Sequence, residues 1–367
     1  MPDPTELPLL PDVIAEEARK GRGAGLNMAS RYDRQTAERL EDGWHRDPDA
    51  PIRTMVQIDT SRTILARNQS PDVPFDRSIN PYRGCEHGCI YCFARPTHAH
   101  LGLSPGLDFE TRLLAKPNAA SLLEQALARP GYMVKPIAIG TNTDPYQPIE
   151  KTWRIMREVL EVLWAHRHPV TVTTKGALVV RDADLLGRLA RSGLVRVTIS
   201  LTTLDNRLSR KMEPRAASPS RRIAAIRMLA QAGIPVIAGL APVVPGLTDH
   251  EVENLLKATA EAGACHATYI ALRLPQEVAP LFQEWLSREY PDRSGKVMGR
   301  VREMHGGKDY DSTWFRRMKG EGVHAKLIGR RFELACKQHK LERRPPELRT
   351  DLFRVPPRTG DQLTLGI

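Results

Sequence analysis

No stretch of this 367-residue chain approaches the about 18 consecutive apolar residues that a membrane span requires. Its first residues, MPDPTELPLLPDVIAEE, lack the basic start and apolar run of a secretory signal. The expectation is a soluble, cytoplasmic protein with no membrane partner. Cysteine is scarce too: there are five, an odd number and too few for a disulfide scaffold, so reduced thiols are expected. Acidic residues are outnumbered, 43 Asp and Glu against 54 Lys and Arg, for a formal charge of +11. That balance favours anionic partners, of which nucleic acid is the commonest large one. Between residues 287 and 350 there are 17 basic and 9 acidic side chains, so this segment is either a polyanion surface or a solvated basic face. No short repeat or low-complexity tract is present.

What the chain does contain is enough for a substantial core. Apolar residues make up 41% and charged residues 26%, which excludes wholesale disorder. Apolar runs of β type recur at 137–140, 170–174, 195–201, 236–240 and 267–272. Between them lie amphipathic helical runs at 119–128, 151–165, 183–191, 219–232 and 249–262. This alternation is the pattern of a parallel sheet with crossover helices. With a first strand just before Cys85 there are about six units, a partial (β/α)6 barrel of the TIM type. Thr248 and Glu251 have capping-box spacing, Asp182 reads as an N-cap, and Gly193, Gly233 and Gly263 stand where C-terminal caps belong. Residues 54–58 and 63–65 suggest a short hairpin, and 33–42 carry helical periodicity. The expected divisions are an N-terminal extension (1–70), the α/β core (71–290), a basic helical region (291–345) and a tail (346–367).

In such architectures the loops at the carboxyl ends of the strands carry the chemistry. The first of them holds Cys85, Cys89 and Cys92 at C-x3-C-x2-C spacing, with Gly84 and Gly88 to permit tight turns. A loop this short can wrap three sulfurs around one corner of a cubane iron–sulfur cluster, leaving one iron open to a small molecule. Structural zinc is the alternative, with His87, His98 or His100 as fourth ligand. The spacing favours the cluster, because no second ligand pair follows.

The aromatic Tyr91 before the third cysteine completes a motif that resembles the radical S-adenosylmethionine (SAM) superfamily. The strings SINPYRGCEHGCIYCFARP, GTNTDPYQPIEK, TKG, ISLTTLD and EPRAASP resemble the branch grouped with spore photoproduct lyase, the DNA repair photolyase-like proteins. The likeness runs from about Ser70 to Tyr290. It implies a radical enzyme of lyase or transferase type with a [4Fe-4S] cluster on Cys85, Cys89 and Cys92, and SAM chelated to the open iron. It further implies a flavodoxin- or ferredoxin-type electron donor and points to a nucleic-acid substrate; the alternatives are a peptide or small-metabolite substrate, or a nucleic-acid-binding protein whose iron–sulfur cluster is structural.

The remaining strand-end loops then receive roles. Thr141, Asn142 and Asp144 offer acceptors for the SAM amine; the Gly-Gly-Glu form common in the superfamily is absent, so the three stay open. Lys175 suits the SAM carboxylate. Ser200, Glu213 and Arg215 suit the ribose hydroxyls or carboxylate, with a local Glu213–Arg215 ion pair as the other reading. Tyr91 packs beside the cluster or adenine, and the apolar stretch 241–246 suits the adenine ring. Cys265 reads as core. Cys336, on a helical run at 329–339, is the candidate hydrogen donor. Trp314, Phe315, Arg316 and Arg317 form an aromatic-basic group that either stacks bases or belongs to an amphipathic helix with a buried Trp-Phe pair.

Overall fold

The computed structural model describes residues 12–13, 20–32, 52–341 and 344–357. The helical periodicity at 33–42 lies outside them.

Seven strands form the main sheet: β1 (Leu65–Arg67), β2 (Arg77–Ile79), β3 (Ile137–Ile139), β4 (Val170–Thr174), β5 (Val195–Leu201), β6 (Val236–Val243) and β7 (His266–Ala271). They lie side by side in chain order. β1 pairs antiparallel with β2, and every later pairing is parallel. The helices between them are α1 (Ala119–Leu127), α2 (Ile155–Ala165), α3 (Ala183–Arg191), α4 (Asn206–Met212), α5 (Pro219–Gln231) and α6 (Val252–Glu261). Right-handed crossovers in an unreversed strand order put α1, α2, α3, α5 and α6 on one convex face, the arrangement of a barrel segment, while α4 packs with the cysteine loop. β1 and β7 do not pair, so the sheet remains open. Its strand and helix positions follow the expected alternation.

β4 shows how the sheet separates core from site. Val170 and Val172 are buried with the apolar residues of the flanking helices, whereas the alternate Thr171 and Thr173 are only partly covered. A period of two thus makes the convex face apolar and leaves the concave face polar. Gly193, Gly233 and Gly263 take positive φ after their helices, as expected.

Four local expectations are corrected. Residues 54–58 and 63–65 make no hairpin: the strand Met55–Ile58 pairs in parallel with Arg112–Ala115, while β1 joins the main sheet. The helix over 151–165 is broken at Arg154 (φ +52°), where the buried Glu150 carboxylate accepts from Met156 N and starts α2 afresh. No capping box forms at Thr248, because its hydroxyl accepts from Val244 N and Glu251 accepts from Thr203 Oγ1 and Leu204 N. Asp182 precedes α3 but binds Arg181 and Tyr146 rather than the helix amides.

Beyond β7 come α7 (Val278–Glu289), α8 (Pro291–Met304) and α9 (Gly322–Gln338). Residues 346–354 return under the sheet, where Arg349 N and Arg354 N donate to Gly193 O and His166 O. Among the described residues no helix is long and apolar enough to cross a membrane.

Candidate active site

Cys85, Cys89 and Cys92 sit on the loop that leaves β2, and the rest of the chain holds that loop from every side. Gly84 (φ +75°) and Gly88 (φ +66°) make its turns, and a Cβ on Gly88 would lie 2.6 Å from Glu110 Oε2. Arg95 is wholly buried beneath it. Its guanidinium donates to Cys89 O (3.0 Å), Gly88 O (3.2 Å), Pro105 O, Gly106 O and the Glu110 carboxylate, which satisfies all five donors. Gln147, also buried, accepts from Glu86 N at 2.8 Å and donates to Gly84 O at 3.2 Å. At the end of α4, Met212 O accepts from Ile90 N, and beyond it Arg215 N donates to His87 O.

The N-terminal segment is a further support that composition alone did not suggest. Gly23 N and Ala24 N donate to Glu110 Oε2 and Oε1, both at 2.9 Å. Gly23 lies so close to the cysteine loop that a Cβ there would be 2.0 Å from Gly88 O. The glycine alternation at 21, 23 and 25 was the only sequence signal of this approach. Arg95 carried none, since an arginine in sequence reads as exposed.

The donor set fits a cluster. Cys85 and Cys89 are buried, and the burial raises both thiol pKa values; the Asp144 carboxylate raises Cys85 further and that of Glu213 raises Cys89. Cys92 packs in one apolar cluster with Cys85, and its N donates to Cys89 O at 3.2 Å. Such a site disfavours free thiolates and favours a cationic group that compensates them. Among the described residues no group of three or more His, Cys, Asp or Glu side chains is arranged to hold a metal ion. A cubane differs in taking one sulfur at each of three irons. The histidines proposed for zinc have other partners: His87 Nδ1 faces Asp144 Oδ2 at 3.3 Å, His98 Nε2 meets Arg112 O at 2.9 Å, and His100 stacks on Tyr32.

Around the loop the strand ends bring several expected residues together. Lys175 Nζ, after β4, donates to Ser200 Oγ (3.0 Å) and Ala241 O (3.4 Å) and lies 5.7 Å from the centre of the Tyr91 ring. Tyr91 OH donates to Glu213 Oε1 and lies 3.2 Å from Thr202 Oγ1. Asp144 is taken up internally, accepting from Tyr146 N, Thr174 Oγ1 and Lys175 N. Burial opposes its charge, yet the His87 imidazole and these donors hold its pKa down at about 2. The two residues before it differ: Thr141 and Asn142 are half-buried, and their side chains make no hydrogen bond among the described residues.

Glu213 and Arg215 are not paired with each other. Glu213 is buried against Arg222, a residue that sequence reasoning passed over, and Arg215 Nη2 meets Glu86 at 3.1 Å. Despite burial, Arg222 and next Lys175 hold the Glu213 pKa at about 2. With Tyr91, Thr202 and Arg222 all on its oxygens, Glu213 acts as an internal counter-charge.

Cys336 lies on α9, half-buried against the core under the convex helices, a different cluster from the one the cysteine loop joins. Burial and then Glu333 push its thiol up to about 11. Cys265, at the start of β7, donates from its thiol to Val236 O. The aromatic-basic group is not a buried helical pair: residues 314–319 form turns, with Trp314 54% and Phe315 68% exposed. This segment is fixed by Met318 O, which accepts from Ala271 N at the end of β7, and by Arg317, whose Nη2 and Nε reach Asp72 at 2.6 and 2.7 Å.

Residues 79–259 match the family model of the Radical SAM superfamily, a span from the end of β2 through most of α6. A protein of Mycobacterium tuberculosis (strain ATCC 25618 / H37Rv) is 36% identical over 79% of this chain and 84% of its own. One of Methanocaldococcus jannaschii is 26% identical over 58% of this chain and 76% of its own. Among solved structures, spore photoproduct lyase complexed with dinucleoside spore photoproduct is similar in fold, with a TM-score of 0.56 and 17% identity over 77% of this chain and 78% of that one. The family match agrees with the motif read from residues 85–92, and the chain belongs to the radical SAM superfamily as a radical SAM enzyme.

Proposed function

We propose that this chain holds a [4Fe-4S] cluster on Cys85, Cys89 and Cys92, cleaves SAM reductively, and acts through the resulting radical on nucleic acid. The observation that carries the reading is the seating of three thiols on one buried loop beside the Lys175–Ser200 pair. When bound, the cluster and SAM supply the one-electron cleavage to methionine and a 5′-deoxyadenosyl radical.

The chain's own residues bind and orient. Lys175, held by Ser200 and Ala241 O under the Tyr91 ring, offers a cation to the SAM carboxylate. Thr141 and Asn142 accept from the amine, while Asp144 fixes His87 and the end of β4 so that both stay in register. Buried Glu213 and Arg222 neutralise one another behind Tyr91, so neither draws water into the site. Arg215, tied to Glu86, braces the cysteine loop. The 241–246 stretch, where β6 ends, offers an apolar wall for adenine.

Nucleic acid is favoured as substrate by the rim of the mouth. Phe93, 40% exposed, carries the Arg273 guanidinium 3.9 Å from its ring centre, and exposed Trp314 and Phe315 stand beside Arg316 and Arg317. Aromatic faces among arginines stack bases and meet phosphates. Anaerobic reconstitution tests the whole reading. The expected result is about four iron and four sulfide per chain and 5′-deoxyadenosine from SAM, both abolished by replacing the three cysteines with alanine. Coupling is then read with irradiated DNA, tRNA and a peptide extract supplied separately; product with the peptide alone would overturn the substrate assignment.

A further inference from the structure

A basic hollow of about 280 Å³ on the outer side of the cysteine loop has no role in the reading above. It lies between the glycine-rich segment at 20–23, the end of α4 and the face of α7 that carries Trp285. Lys20, Arg22, Arg210, Lys211 and Arg288 line it, against the single carboxylate of Glu289. That carboxylate is shared by Lys211 (2.9 Å) and Arg288 (3.2 Å), and Arg288 also pairs with Glu284. Arg22 spends its donors on neutral acceptors, Glu110 O, Ile52 O and Thr54 Oγ1. Arg210 is exposed and has no anionic partner among the described residues. Among the described residues Lys20 and Arg210 therefore bring positive charge to the hollow with no ion-paired partner.

No residue of the ligand loop lines the hollow, but two of its lining residues rest on that loop. Gly23 lines the hollow and abuts Gly88 O, and Pro214, another lining residue, would lie 3.3 Å from a Cβ on Gly88. Gly23 and Pro214 thus stand between this surface and Gly88, the neighbour of Cys89. The reaction proposed above consumes one electron for each SAM cleaved, and SAM and substrate fill the mouth at the strand ends. A protein that delivers the electron needs another approach to the same loop, and the hollow provides one. Nucleic acid fits it poorly, because its aromatic residue, Trp285, is 1% exposed and offers no face for a base.

We propose that this hollow is the docking surface for an acidic electron-transfer protein of the flavodoxin class. The inference rests on the reading under Proposed function. In the transfer, the flavin hydroquinone loses one electron and releases a proton to solvent, and the cluster held by the three cysteines takes up that electron. Charge at such a rim sets association rate and salt dependence more than contact area does.

The test uses the reconstituted full chain, a bacterial flavodoxin, and two variants, the Arg210→Glu/Lys211→Glu pair and the milder Arg210→Gln. Affinity for oxidised flavodoxin is measured across a salt series, and SAM cleavage is driven either by reduced flavodoxin or by dithionite. The expected result is roughly tenfold weaker binding and slower flavodoxin-driven cleavage in the charge-reversed pair, a smaller change in the same sense in Arg210→Gln, and dithionite-driven cleavage within about twofold of the parent. Unchanged flavodoxin binding in both variants would overturn the docking assignment. So would single-stranded DNA displacing flavodoxin from the parent but not binding the charge-reversed pair. Failure of the parent itself with dithionite would instead sink the SAM-cleavage reading, and the binding measurement would still decide where flavodoxin docks.

Discussion

Glu213 and Arg222 form an ion pair sealed from solvent behind the cysteine loop, each side chain 1% exposed. Removing one partner leaves a buried charge without compensation. Arg222→Ala is expected to cost about 3–5 kcal/mol, read as a lower midpoint in urea unfolding with an unchanged slope. Truncating the exposed Arg349–Asp351 pair, whose ions stay hydrated, should leave the midpoint where it was. Equal effects from the two substitutions would show that burial of Glu213 is not what stabilises the region.

Gly23 packs against the ligand loop with no space for a side chain, and the atom in the way is backbone, which cannot swing aside. Gly23→Ala should push the 20–27 segment off Gly88 and lower the iron retained after anaerobic reconstitution and desalting by half or more. Gly299→Ala, on α8 with nothing within 4 Å of the new methyl, serves as the comparison and should retain the parent's iron. Equal iron in the two variants would mean that the N-terminal segment does not support the loop.

Lys175 Nζ lies 5.7 Å from the centre of the Tyr91 ring and is held in place by Ser200. A charge-assisted hydrogen bond is worth about 1.5–3 kcal/mol. Lys175→Ala should therefore weaken SAM binding roughly 10- to 100-fold in anaerobic calorimetry, with the cluster intact by its visible absorbance. Ser200→Ala, which removes only the support, should weaken it less. An unchanged dissociation constant in Lys175→Ala would remove this residue from the binding site.

His168 is buried with both ring nitrogens satisfied in the neutral form: Nδ1 donates to Pro169 O and Nε2 accepts from Tyr132 OH. Burial brings its pKa down to about 4. Below an unfolded pKa near 6.5 the unfolded chain binds a proton that the folded chain does not, so stability is present above pH 6.5 and declines as the pH falls towards 4. His168→Gln should flatten the dependence between pH 7 and pH 5 by about 2 kcal/mol, measured by urea unfolding at each pH. A slope identical to the parent's would place the proton uptake elsewhere.

The sheet was readable from the chain because buried parallel strands are short apolar runs whose spacing the crossover helices keep regular; Val170–Thr174 and Val195–Leu201 show this directly. The ligand spacing was readable because it is local. What escaped is non-local and polar. Nothing near Arg95, Glu110 or Arg222 marks them as interior, since a charge becomes tolerable in the core only when a partner distant in sequence arrives. The same competition explains Thr248 and Glu251: capping spacing was present, but Thr203 and Leu204 from the loop after β5 reached the carboxylate instead. Met55–Ile58 chose Arg112–Ala115 over a neighbour ten residues away, a pairing that alternation cannot foretell.

Asp72 and Arg317 come from opposite margins of the open sheet, one between β1 and β2, the other beyond β7. Their two-pronged contact is thus a latch across the seam where a closed barrel would have a ladder of backbone hydrogen bonds. A ladder yields only when strands separate, whereas a latch of this kind yields for about 2–3 kcal/mol and leaves every strand in place. Parting the two margins of the sheet therefore requires the loss of side-chain contacts at Asp72 and of no strand pairing.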